Sequence, residues 1–236
     1  MTTAAHLHHD IAAVESATAE LTTTAGRLAD PDISAASLCD GWTRGHVLSH
    51  LSRNADAIGR LVDWAVTGER QEMYPGGVAA RDAEIEAGAR RGADEQLDDL
   101  TSSAQALAVR LPELADGIVV AGVEGRGGVT IASADLAFMR LREVVFHHVD
   151  LDAGFSFDDV DGELLARFIT DALRRLGGDA DTPGFTVHTA EGDEWTTGDG
   201  GVSVTGTRAG VLLWLARRVP DRVEANGPLP DLPRGS

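Results

Sequence analysis

The sequence of 236 residues predicts an α+β chain, with an amino-terminal four-helix bundle over residues 1–153 and a small α/β carboxy-terminal domain over residues 154–236. Three observations carry this reading. Four segments ahead of residue 150 repeat apolar side chains at the three-and-four spacing of an amphipathic helix. After about Asp152 the pattern changes, and part of it alternates as a strand does. With 43% apolar and 25% charged residues the chain is globular in composition, and at roughly 100 to 200 residues per domain it holds one large domain or two modest ones.

The first stripe is Ile11, Val14, Ala17, Leu21, Ala25 and Leu28, ending at the Asp30–Pro31 turn, where proline removes a backbone donor. The second is Leu48, Leu51, Ala55, Ile58, Val62 and Ala65. It follows Cys39, Asp40, Gly41, Trp42 and Thr43, where Asp40 or Thr43 can cap the helix. A longer link from Thr67 through Tyr74, Pro75, Gly76 and Gly77 resumes as a short helix near Arg81 to Ala89. Loops of that length beside a bundle often cover a site. The third stripe is Leu97, Leu100, Ala104, Leu107, Leu111 and Leu114, and the fourth is Ala134, Phe138, Leu141, Val145 and Val149. Four helices with one apolar face each bury those faces most economically against one another.

In the second part, Leu164, Leu165, Phe168, Ile169, Ala172 and Leu176 mark a helix that ends at Gly177 and Gly178. Phe185, Val187 and Thr189 alternate, Glu191-Gly192-Asp193 forms a hairpin tip, and Trp195 starts the return strand. Val202 and Val204 alternate again before a helical run from Arg208 to Arg218 and a proline-rich tail.

The formal charge is −18, from 20 basic and 38 acidic residues. Nucleic acid and anionic membrane need a basic footprint, so neither is an expected partner. Every basic residue is Arg, which excludes Schiff-base lysine chemistry and a Walker-type phosphate lysine. The single cysteine, Cys39, excludes an intramolecular disulfide and a Cys-x-x-Cys pair and fits a reducing cytoplasm. Met1 to Asp10 lacks the basic and apolar regions of a signal peptide, and no run approaches about 18 apolar residues. A soluble cytoplasmic protein is expected.

The chemistry concentrates in Glu143 and His147. Four residues advance a helix by about 400°, so the two side chains lie one above the other and can grip a common ion. His46 and His50 have the same separation on the second helix, and either can supply a third ligand. Two imidazoles and a carboxylate, with a position left open, form a catalytic zinc pattern of the kind bundles build in their cores. The same donors also suit iron, nickel or manganese. His148 points about 100° away from His147 and is expected at the surface or in packing. His6, His8 and His9 belong to a fraying end, and His188 to a strand.

Gly41-Trp42-Thr43-Arg44, then His50, Asn54, Trp64, Met73-Tyr74, Arg142-Glu143, His147 and Asp150-Leu151 resemble the mycothiol-dependent maleylpyruvate isomerases of the DinB-like superfamily. The likeness covers nearly the whole chain, and its run through Tyr74, Arg81, Glu84 and Ile85 is more specific than the general superfamily pattern. It implies a DinB-like bundle whose Zn2+ ligands are His50, Glu143 and His147, so the resemblance chooses His50 over His46. It implies mycothiol as cofactor, with Tyr74 and Arg81 in the shared link as candidates for binding it, and Arg218 as the catalytic arginine, with Arg217 and Arg222 as neighbouring alternatives. Arg81 is a second candidate for a substrate carboxylate.

The implied reaction converts maleylpyruvate to fumarylpyruvate in gentisate-type aromatic degradation. A thiolate adds to the conjugated double bond, frees its rotation and leaves. Cys39 has no nearby cationic pattern and reads as a small buried residue, so the thiol must come from a cofactor. Trp42 and Trp64 read as packing residues, and Asn54 as a partner behind the ligands. Two other functions share the donor set: a mycothiol S-transferase that conjugates electrophiles, and a non-catalytic zinc-binding module.

Overall fold

The computed structural model describes residues 4–177 and 182–233, so the expected helix end at Gly178 and the first three residues lie outside it. The chain divides into two compact units, Met1–Gly154 and Phe155–Ser236. The architecture is α+β, as expected.

The first unit contains α1 (Ala4–Ala25), α2 (Asp30–Ile33), α3 (Arg44–Thr67), α4 (Gly77–Gly88), α5 (Ala93–Arg110), α6 (Glu113–Asp116), β1 (Gly122–Glu124), β2 (Thr130–Ala132) and α7 (Leu136–Asp150). Helices α1, α3, α5 and α7 are the bundle, and each packs on two of the others. Helix α3 carries much of the core: Leu48, Leu51, Ile58 and Leu61 are fully buried, each of a size whose burial is worth roughly 1.5–3 kcal/mol.

Several boundaries differ from expectation. The run expected to continue to Leu114 breaks after Arg110, because Pro112 cannot donate to the helix ladder, and α6 follows as a separate turn. Helix α1 begins before Ile11 and stops at Ala25, leaving Leu28 packed on the core from a loop. The Asp30–Pro31 turn is itself the start of α2, with proline in the first turn where no donor is needed. Asp30 Oδ1 also accepts from the Ala93 N–H at 2.7 Å, satisfying the first turn of α5.

The hairpin of β1 and β2 was not expected. It pairs Val123 with Ile131 across a tip containing Gly127 and Gly128, both left-handed. Three-residue strands are too short for alternation to stand out, although the glycine-rich tip between β-branched residues was the available signal. His148 is 2% exposed, which excludes a surface role, and its Nε2 lies 2.8 Å from Thr24 Oγ1, tying α7 to α1.

Thr43 is the N-cap of α3, its hydroxyl accepting from the His46 N–H, while His46 Nδ1 accepts from the Thr43 N–H at 3.2 Å. Next to this cap, α4 lies so close to α3 that a Cβ on Gly45 would stand 2.5 Å from the Ala89 carbonyl oxygen. Buried Gln96 joins the crossing, donating to the Gly88 carbonyl at 2.9 Å and the Gly45 carbonyl at 3.2 Å. This contact lays α4 over the first turns of α3, from Gly45 to His50.

The second unit contains α8 (Gly162–Leu176), β3 (Phe185–Thr189), β4 (Glu194–Thr197), β5 (Val202–Gly206), α9 (Arg208–Arg217) and β6 (Val223–Ala225). Its sheet runs β4-β3-β5-β6, with β3 parallel to β5 and the outer pairs antiparallel. Strand β6 replaces the start of the expected tail. Helix α9 packs on the sheet and on α8, with Trp214 edge-on to Phe185 at 5.3 Å between ring centroids. His188 pairs with Glu194 across β3 and β4 at 3.3 Å, a largely solvated contact. None of the described helices is long and apolar enough to cross a membrane.

Candidate metal centre

Helices α3 and α7 pack so that His50 of the first faces Glu143 and His147 of the second. His50 Nε2 is 3.0 Å from Glu143 Oε2, and His147 Nε2 is 3.7 Å from the same oxygen. The imidazole rings meet edge to face at 4.6 Å. One donor atom from each residue lies within 4.8 Å of the others. His50 is buried, whereas Glu143 and His147 are half-buried and keep one side toward solvent.

Behind these donors, His147 Nδ1 lies 2.7 Å from Oδ2 of fully buried Asp150. A carboxylate there accepts the Nδ1 proton and leaves Nε2 to face the cluster, the arrangement that orients metal-binding histidines. Asp150 was named in the sequence only as part of a motif. Its position three residues after His147, one turn along the same helix, was the signal for this role. Asn54 donates weakly to Glu143 Oε2 at 3.5 Å, and an Arg142 nitrogen lies 3.7 Å from Oε1.

The electrostatics favour a neutral His50 and an ionised Glu143. Burial, then the neighbouring His147, pulls the His50 pKa down to about 4 against the opposing effect of Glu143. Burial alone would raise the Glu143 pKa. The His50 hydrogen bond, both imidazoles and Arg142 outweigh it and hold the carboxyl well below the usual range. Neutral imidazole and ionised carboxylate are the forms that ligate a divalent ion, so these residues fit a metal of the zinc class.

Helix α4 closes one side. Arg81 Nη2 donates to His50 Nδ1 at 2.8 Å, and its guanidinium lies over the Tyr74 ring at 5.5 Å. Burial raises the Tyr74 pKa despite that cation. Trp42 packs on the core and also forms a wall of the site, 5.5 Å from the His50 ring. Trp64 packs away from these groups, under Arg70 at 5.9 Å. His46 is committed to the α3 cap and to Glu86 at 3.3 Å.

A second donor group, Cys39, His147 and Asp150, shares two members with this environment. Cys39 is half-buried there, beside a histidine that sequence separation had hidden. Arg218 belongs to the second unit. It caps α9 in the left-handed conformation at φ 61°, with its terminal nitrogens donating to the Leu215 and Pro233 carbonyls.

The class of protein so defined is a four-helix bundle with a two-histidine, one-carboxylate centre on facing helices, extended by a small α/β unit. A family model for the mycothiol maleylpyruvate isomerase N-terminal domain matches residues 14–152, more than half of the chain, and the chain belongs to that family. Two solved structures resemble it over 100% of both chains. One is a crystal structure of the mycothiol-dependent maleylpyruvate isomerase, 27% identical with a TM-score of 0.90. The other is that of a histidine-to-alanine mutant, 26% identical with a TM-score of 0.89. No curated protein sequence matches significantly.

Proposed function

We propose that the chain isomerises maleylpyruvate to fumarylpyruvate with mycothiol at a Zn2+ held by His50, Glu143 and His147, within gentisate-type aromatic degradation in the cytoplasm. The observation that carries this is the donor triad, assembled across α3 and α7 inside the segment that defines the family. The full-length likeness to an isomerase supports extending the reading to the second unit.

A zinc ion bound there supplies a Lewis acid that makes a coordinated thiol nucleophilic at neutral pH. The protein's own part is to prepare the donors and hold the anions. Asp150 keeps the proton of His147 on Nδ1, and the His50 hydrogen bond together with Arg142 keeps Glu143 ionised. Tyr74 and Arg81, on the link and helix beside His50, bind the thiol cofactor in this reading. In this reading Arg218 exchanges its bonds to the Leu215 and Pro233 carbonyls for a substrate carboxylate, whose two oxygens a guanidinium matches.

The test measures loss of maleylpyruvate and appearance of fumarylpyruvate by zinc-loaded protein with mycothiol, with glutathione and with no thiol. Turnover is expected only with mycothiol and is lost in His50→Ala. Absence of turnover with zinc demonstrably bound overturns the reading, and a stable thioether product would identify a conjugating transferase instead.

A further inference from the structure

The loop between α2 and α3 carries Cys39 to the carboxyl end of α7. The Leu38 N–H donates to the Asp150 carbonyl at 2.9 Å, and Arg44 Nε donates to the Leu151 carbonyl at 2.5 Å, so bonds on both sides of Cys39 fasten the loop there. The Cys39 N–H donates to Ser37 Oγ at 3.2 Å, and the Cys39 carbonyl accepts from the Trp42 N–H at 3.0 Å. One donor atom from each of Cys39, His147 and Asp150 lies within 4.8 Å of the others.

This set has the composition of a metal seat. Thiolate, imidazole and carboxylate are the side-chain donors that bind zinc-like ions, and a thiolate adds a preference for soft ones. With Cys39 and Asp150 ionised, a divalent cation completes a neutral group, the form that a buried position tolerates best. The set of His50, Glu143 and His147 leaves one positive charge on the same ion. Asp150 is fully buried, whereas Cys39 and His147 are half-buried and leave an approach from solvent. Donors on one tetrahedral ion stand roughly 3.5 Å apart, so the group has to close by only about 1 Å.

His147 belongs to both sets. Its Nδ1 lies 2.7 Å from Asp150 Oδ2 and its Nε2 lies 3.7 Å from Glu143 Oε2. A neutral imidazole offers one lone pair, on whichever nitrogen lacks the proton, so the ring serves one ion at a time. We infer that Cys39, His147 and Asp150 form a second metal seat, for a soft divalent cation, that competes with the His50 centre for His147. Filling it releases the Cys39 thiol proton to solvent and places the ring proton on Nε2, facing Glu143. A cation in this seat therefore dismantles the donor triad without touching His50.

The test is titration of the metal-free full chain with Cd2+, read by the ultraviolet thiolate-to-cadmium charge-transfer band. It needs no turnover, so its outcome is separate from that of the isomerase assay. The band is expected to saturate at one ion per chain and to persist with parent-like affinity in His50→Ala, which breaks the first set. Affinity is expected to fall by about tenfold or more in His147→Ala and in Asp150→Asn. If the buried Asp150→Asn variant fails to fold, His147→Ala still decides. Zinc-loaded protein is expected to release one zinc for each cadmium bound at the thiolate. Absence of the band, its loss in His50→Ala, or undiminished affinity in His147→Ala, the behaviour of an isolated thiol, overturns the inference. Retention of both ions by one chain overturns the sharing of His147.

Discussion

Arg81 donates to Nδ1 of His50 over 2.8 Å, and this contact determines which nitrogen of the buried ring carries its proton. Arg has donors only, so Nδ1 accepts and the neutral imidazole is protonated on Nε2, facing Glu143. Ligation through Nε2 moves that proton to Nδ1, opposite a group unable to accept it. Arg81→Ala is therefore expected to tighten zinc binding roughly tenfold, the weight of about one hydrogen bond, while lowering mycothiol-dependent turnover. Chelator competition reads the affinity, and an unchanged or weaker value contradicts this account.

Asp150 acts on the opposite histidine with the opposite sign. Asp150→Asn keeps the shape but weakens the acceptor for His147 Nδ1. Zinc affinity is expected to fall by about 10- to 100-fold, the usual effect of losing a partner behind a ligand. Retained affinity in the same competition assay would remove Asp150 from this role.

His46 and His50, one turn apart, separate cleanly by experiment. His46→Ala is expected to leave zinc affinity within about twofold of the parent, whereas His50→Ala abolishes it. Thr43→Ala removes the hydroxyl cap of α3 and is expected to cost about 1 kcal/mol in urea unfolding. Loss of zinc in His46→Ala would mean that the cap also supports the centre.

Gly45→Ala tests the α3–α4 crossing. Its methyl group would meet the backbone of Ala89 at 2.5 Å and Ile33 Cγ2 at 2.9 Å. A destabilisation of about 1–3 kcal/mol is expected, as for other overpacked positions. Displacement of α4 should also reduce turnover by moving Arg81 from His50. Parent-like stability and turnover would show that the helices part without consequence.

Acid sensitivity has a defined source in the second unit. The Arg208 fork, followed by the Thr189 hydroxyl, lowers the Asp193 pKa to about 2. Against an unfolded value near 3.9, this depressed carboxyl contributes its full stabilisation above about pH 4. That contribution is lost as pH falls through about 2. The stability difference between the parent and Asp193→Asn should therefore shrink from pH 4.5 toward pH 2, and a constant difference would assign the effect elsewhere.

The helical bundle was legible because its apolar spacing is dictated by burial, and Leu48, Leu51, Leu107 and Leu141 are all in the core. The pairing of Glu143 with His147 followed from helix geometry alone. Choosing His50 over His46 came from the family resemblance, since both lie on α3 at spacings that leave either open, and the cap at Thr43 is where the fold engages His46. Cys39 beside His147 depends on contacts more than 100 residues apart, which local periodicity does not encode. Buried Arg140, whose Nη1 donates to the Leu51 carbonyl at 2.9 Å and to Asn54 Oδ1 at 2.7 Å, was concealed for a related reason. A charged residue within an apolar helix reads as surface until its acceptors on another helix are known.

Those acceptors have a consequence for how the centre is aligned. Leu51 and Asn54 follow His50 on α3, and Arg140 lies three residues before Glu143 on α7. Sliding one helix past the other by a turn would strand a buried charge, at a cost of several kcal/mol. Arg140 therefore works as an indexing pin. The vertical match of the donor-bearing turns is set by a residue that belongs to neither His50 nor its two partners, so misalignment of the three donors can originate one turn from Glu143 and two turns from His147.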